Sequence, residues 1–124
     1  MDANVRTHRD LATWQESMKL AEMIYNITAQ FPGTERFGLS LQMRRAAVSV
    51  ISNVSEGAAR SSPREFGRFL EIARGSLAEL DAQLNLAARL GFLQVDQPVH
   101  RQCERCGRLL TALTASIRTK IPKG

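Results

Sequence analysis

The residues best equipped for chemistry lie in the last third of the chain, where His100, Cys103 and Cys106 follow one another at intervals of three. That spacing could hold a soft metal ion or a redox pair of thiols, and a His directly after the second cysteine would mark covalent haem attachment. Gly107 occupies that position, and zinc would lack a fourth ligand. Both cysteines also fall on the apolar seam of a helix, where free thiols act as small hydrophobes. A carboxylate-bridged di-iron centre needs Glu-x-x-His on two helices. Val5 stands three positions before His8 and Gln97 three before His100, so that chemistry is excluded. The two histidines are far apart, no Ser-His-Asp or Cys-His arrangement is evident, and no glycine-rich phosphate cradle is present. The expectation is a non-enzymatic chain with no catalytic residue, no metal and no cofactor.

Charge placement is the positive indication of function. Residues 1–84 contain ten Lys or Arg against ten Asp or Glu, whereas residues 85–124 contain seven against two and so carry the whole net charge of +5. Arg101, Arg105 and Arg108 share one helical face, opposite the Cys103–Leu110 seam, and Arg118, Lys120 and Lys123 continue the charge into the tail. Arginine forks match phosphate oxygens, and a basic face attracts nucleic acid by releasing its counterions. No aromatic residues are interleaved for base stacking, so binding of RNA or DNA would be electrostatic and weakly sequence-selective. A solvated helix face followed by a basic tail fits the same pattern.

These residues must be held by helices. In 124 residues with 44% hydrophobic and 6% aromatic content, one domain spanning 1–124 with an aliphatic core is expected, with flexible ends over 1–9 and 120–124. The N-terminus is polar and lacks a signal core, and no apolar run reaches the roughly 18–20 residues needed to cross a bilayer. A soluble, cytoplasmic protein with no membrane contact is the expectation. Leu11, Trp14, Met18, Ala21, Tyr25 and Thr28 mark a first helix over about 10–30, stopped by Pro32-Gly33. The second runs from about 38–40 to 60 with Met43, Ala46 or Ala47, Val50 and Val54 inward. Ser62-Pro63-Arg64-Glu65 starts the third, with Ser62 as cap and Glu65 as capping-box partner, and Gly91 ends it. Val99, Cys103, Cys106, Leu110, Leu113 and Ile117 line the fourth. Short connections make this an all-α, antiparallel, up-down-up-down four-helix bundle.

The third helix carries two seams. Phe66, Leu70, Ala73, Leu77, Leu80, Leu84 and Ala87 form one; Phe69, Ile72, Ser76, Glu79, Gln83, Leu86 and Leu90 form a second beside it. A surface helix of a monomer needs one stripe, so the second implies either a wide buried face or a contact with another subunit through Phe69, Ile72, Leu86 and Leu90. An antiparallel second and third helix would place Ser49 opposite Gly75 and Ser76, Arg45 near Glu79, and Glu56 near Arg68, with Asn53 in the same polar seam. These residues are read as interhelix polar contacts, and alternatively as a polar binding site.

Arg44-Arg45-Ala46, Asn53-x-x-Glu56-Gly57 and Gly75-Ser76-Leu77-x-Glu79-Leu80, with Phe31-Pro32 and Glu35-Arg36-Phe37-Gly38-Leu39 upstream, resemble one bacterial family over nearly the entire chain. It is the four-helix bundle proteins, also called 23S ribosomal RNA intervening-sequence proteins. Val50 and Val54-Ser55 depart conservatively from its usual Ile and Ile-Ala. The resemblance implies a homo-oligomer, a ring of five bundles rather than a dimer. It also implies a setting in ribosomal RNA insertions or, through a related accessory protein, in retroelements, with RNA or DNA and a reverse transcriptase as partners. A structural module that binds only another protein is the alternative.

Overall fold

The computed structural model describes residues 8–122, with side chains from Asp10 onward; Lys123 lies outside the described residues. Four helices run in sequence, α1 over His8–Thr28, α2 over Leu39–Ala58, α3 over Pro63–Arg89 and α4 over Pro98–Arg118, and a short 3-10 turn at Gly33–Glu35 links the first two. Each helix packs on its chain neighbours, and α1 closes the square against α4. No strand occurs among the described residues. This is the all-α four-helix arrangement implied by the apolar spacing.

Local chemistry sets the helix ends. Ser62 caps α3 by accepting the Glu65 backbone N–H at 3.3 Å, and Pro63 occupies the first turn, where its missing N–H costs nothing. The reciprocal half of the capping box does not form; the Glu65 carboxylate instead faces Arg68 at 3.7 Å, one turn on. At the other end Gly91 takes a φ of 81°, a left-handed conformation that lets Phe92 N–H reach Ala87 O at 2.9 Å and Gly91 N–H reach Ala88 O at 3.0 Å. Phe92 then packs on Phe31 with ring centroids 5.4 Å apart, pinning two loops together at that end of the bundle.

The core is aliphatic, with Leu20, Ile24, Met43, Leu70, Leu80, Leu84, Leu110 and Leu113 almost fully buried around Phe66. The first seam of α3 and the seam of α4 are buried along their length. α1 is rotated from the face that its large residues mark. Thr13, Ser17, Leu20, Ala21, Ile24 and Thr28 point inward, while Leu11, Trp14 and Tyr25 are about two-fifths exposed. Small and hydroxyl side chains win the inner face because they let α1 approach its neighbours closely, and an inward hydroxyl can bond its own helix. Thr28 does so, donating to Ile24 O at 2.6 Å. Trp14 lies across the groove to α2, where its Nε1–H donates to Ser55 Oγ at 2.9 Å. Arg44 of α2 ties down the end of α1, donating from Nε to Thr28 Oγ1 at 2.8 Å and stacking over the Tyr25 ring at 4.6 Å.

Candidate nucleic-acid interface on the fourth helix

α4 starts at Pro98, and its inward residues fix which side faces water. With Val99, Cys103, Cys106, Leu110, Leu113 and Ile117 buried, a pitch of 3.6 residues turns Arg101, Arg105 and Arg108 to the opposite side, and all three are exposed. Arg101 and Arg108 make no ion pair among the described residues. Arg105 does. Its Nε–H donates to Glu16 Oε1 of α1 at 3.0 Å. Arg118 pairs with Glu71 of α3, which also accepts from Arg74. Lys120 is exposed beyond the end of α4, its backbone N–H bonded to Ile117 O. The basic face is therefore uneven, with two free guanidinium groups flanking one that already holds a carboxylate.

Glu16 and Gln102 went unmarked in the sequence because a carboxylate and an amide on separate helices have no spacing rule to join them. Gln102 Nε2 donates to both Glu16 O and Glu16 Oε1 at 2.9 Å, and the Cys106 thiol donates to Glu16 O at 3.3 Å. The Gln102 amide first, and the Arg105 guanidinium with it, hold the Glu16 carboxyl below its ordinary range against the opposing effect of desolvation. Because only Nε of Arg105 is engaged, both its terminal NH2 groups remain available to phosphate oxygens.

The polar residues of α2 and α3 occupy the opposite side of the molecule. Ser49 and Ser76 hydroxyls lie 2.7 Å apart, and Asn53 Nδ2 donates to Ser49 O at 2.8 Å and to Ser49 Oγ at 3.2 Å. The anticipated ion pairs across the helices do not form. Glu56 pairs with Arg60, just past the end of α2, at 3.0 Å and Arg68 with Glu65 of its own helix, because partners three or four positions along the chain are closer than those across the groove. Arg45 and Glu79 are likewise unjoined; Glu79 accepts only a long 3.4 Å bond from Gln83. Along the second seam of α3, Phe69 is half-buried, while Ile72, Leu86 and Leu90 are 47%, 47% and 52% exposed within the chain.

Among the described residues no group of three or more His, Cys, Asp or Glu is placed to hold a metal ion. His100 faces away to Gln94 O at 3.0 Å. A groove of about 340 Å³ between α3 and α4 reaches Cys103 past Arg74, Asp81, Glu104 and Gly107, and its mixed charge favours neither anion nor cation. Burial pushes the Cys103 thiol up to about 12, with Asp81 adding to the rise, and pushes Cys106 up to about 11, with Glu16 adding to it. Both start from an ordinary value of 9.0, so the folded state holds protons that the unfolded chain gives up. The thiol contribution to stability is thus fully present below pH 9 and is lost as pH rises towards 11–12. Native protein should react with a thiol reagent at neutral pH far more slowly than urea-unfolded protein. Equal rates would show that these cysteines are open to solvent.

No helix of the described residues is long and apolar enough to cross a membrane. No curated protein matches the chain. A solved structure of a protein of unknown function from the S23 ribosomal protein family of Bacteroides thetaiotaomicron aligns with a TM-score of 0.80 at 22% identity, covering 86% of this chain and 98% of that one. That likeness supports the fold. The family model described as 23S rRNA-intervening sequence protein matches residues 9–112, which takes in all of α2 and α3 and most of α1 and α4. With its motifs and four helices accounted for, the chain belongs to the 23S rRNA-intervening sequence protein family.

Proposed function

We propose that this protein works without catalysis, as a self-associating cytoplasmic bundle that binds RNA or DNA through the outer face of α4, in the role of a ribosomal RNA insertion or retroelement accessory protein. One observation carries the nucleic-acid reading. Arg101 and Arg108 are exposed and free of ion pairs among the described residues, on a helix that exposes no large hydrophobic residue, so three arginines outnumber the one exposed carboxylate, Glu104, on this face. A polyanion is the partner such a face suits. The test is fluorescence anisotropy with a labelled RNA hairpin and a duplex DNA. Affinity should fall steeply, by tenfold or more, between about 50 and about 200 mM salt. Salt-independent binding, or none at the low end, would count against the reading.

Self-association rests on Ile72, Leu86 and Leu90, whose exposed side chains continue from Phe69 along one seam. Light scattering at micromolar concentration should give a multiple of the 13.8 kDa chain mass, five-fold for the ring that the family resemblance implies. A monomer mass would overturn this part. The same exposed seam favours the second reading, a protein-binding module without nucleic acid, for which a reverse transcriptase is the partner that the resemblance implies.

A further inference from the structure

The groove between α3 and α4 has its charges sorted along its length. Two contacts set the antiparallel register of these helices. A Cβ on Gly67 would lie 3.9 Å from Ile117 Cγ2, and one on Gly107 would lie 3.7 Å from Leu77 Cδ2. Arg74 and Thr111 therefore share one end of the groove, and Asp81 shares the other with Cys103 and Glu104. Arg74 divides the Glu71 carboxylate with Arg118, so two guanidinium groups meet one carboxylate and that end stays net positive. Asp81 and Glu104 are exposed, and neither has an ion pair among the described residues. The buried Cys103 floors this acidic end. Burial first, and then both carboxylates, raise its thiol, as expected for acids gathered around one spot. Arg74 and Asp81 are two helical turns apart, about 10 Å along the axis. Leu77, Ala78 and Gly107 give the stretch between them an apolar floor.

We propose that this groove binds a linear zwitterion, with an ammonium group between Asp81 and Glu104, a short aliphatic chain over Leu77 and Gly107, and a carboxylate against Arg74 and the Thr111 hydroxyl. The groove's volume of about 340 Å³ suits a small molecule. A simple anion is repelled at one end and a simple cation at the other. Only a ligand with opposite charges at its two ends gains at both. The planar guanidinium of Arg74 matches a carboxylate, and the Asp81–Glu104 pair accepts several ammonium hydrogen bonds. Gly107 keeps the middle open. Glycine inside a helix is less favourable than alanine, yet packing does not require it at this position, where a Cβ would make only an ordinary contact. A longer side chain there would lie in the groove.

Three probes that share a six-carbon chain and differ in their end groups test the proposal: ε-aminocaproate, hexylamine and hexanoate. In isothermal titration of the full chain, ε-aminocaproate should bind about fivefold or more tightly than either of the others, the effect of one exposed ion pair. Its amide NMR shifts should concentrate at residues 74–81 and 103–111. Asp81→Asn should weaken ε-aminocaproate and hexylamine by about fivefold and leave hexanoate unchanged or tighter. Arg74→Gln should do the reverse, weakening ε-aminocaproate and hexanoate while sparing hexylamine. Gly107→Leu should stay helical by circular dichroism and lose ε-aminocaproate; should it unfold, the two charge variants decide the matter. Hexylamine or hexanoate binding as tightly as ε-aminocaproate would overturn the proposal, as would shifts centred on another face. Absence of both heat and shifts at millimolar ligand would overturn it too.

Discussion

Replacing Gly57 with leucine should destabilise the protein by about 3 kcal/mol or more, lowering the melting temperature by roughly 10 °C for a domain of this size. Gly57 sits near the end of α2, packed closely against α3. A Cβ there would meet Phe66 Cδ1 and Phe69 Cβ at 2.9 Å and Phe66 O at 3.3 Å. The ring of Phe66 can tilt, but Phe69 Cβ moves only with its backbone, so the two helices must separate. Their separation also loosens the packing around Phe66, which is fully buried. Alanine is the milder case. It gains about 1 kcal/mol of helix propensity over glycine, which offsets part of an overpacking cost of about 1–3 kcal/mol, so a net loss of about 1 kcal/mol is expected. Combining Gly57→Ala with Phe66→Leu should cost less than the sum of the two, because the shorter side chain removes one of the close contacts. Urea denaturation of wild type, Gly57→Leu, Gly57→Ala, Phe66→Leu and the Gly57→Ala/Phe66→Leu double variant measures this. Strict additivity, or a leucine variant as stable as wild type, would show that the helices are not in contact there.

Replacing Arg101, Arg105 and Arg108 together with alanine should remove most of the nucleic-acid affinity and flatten its dependence on salt. Each phosphate contact contributes about 0.9 to the slope of log affinity against log salt on duplex DNA, so three lost contacts should reduce it by about 2–3 units. Stability should change by less than about 1 kcal/mol, since Arg101 and Arg108 are exposed without ion pairs and Arg105 forms a surface pair. Glu16 stays engaged by Gln102 after Arg105 is removed, so no buried charge is stranded. Among single variants, Arg101→Ala and Arg108→Ala should each weaken binding more than Arg105→Ala, whose carboxylate partner already cancels part of its field. Binding by the triple variant equal to wild type at every salt concentration would place the contact elsewhere.

Periodicity alone determined the four helices. Apolar residues at three- and four-residue spacing must share a side, and proline, serine and glycine punctuate the ends through local backbone chemistry, as Ser62 and Gly91 show. It also determined which side of α4 the arginines occupy, because a seam of six buried residues leaves one opposite face. On α1 the same reasoning favoured Leu11, Trp14 and Tyr25, yet Thr13 and Ser17 are buried in their place. Size and hydrophobicity rank residues one at a time, whereas burial depends on how closely two backbones approach, and small hydroxyl residues permit the closer approach. Ion pairs were the least legible. Arg105 and Glu16 are 89 positions apart, and Arg118 and Glu71 are 47 apart. Which carboxylate faces which guanidinium depends on a rotation of a few tens of degrees about each helix axis, and only the packed bundle fixes that angle.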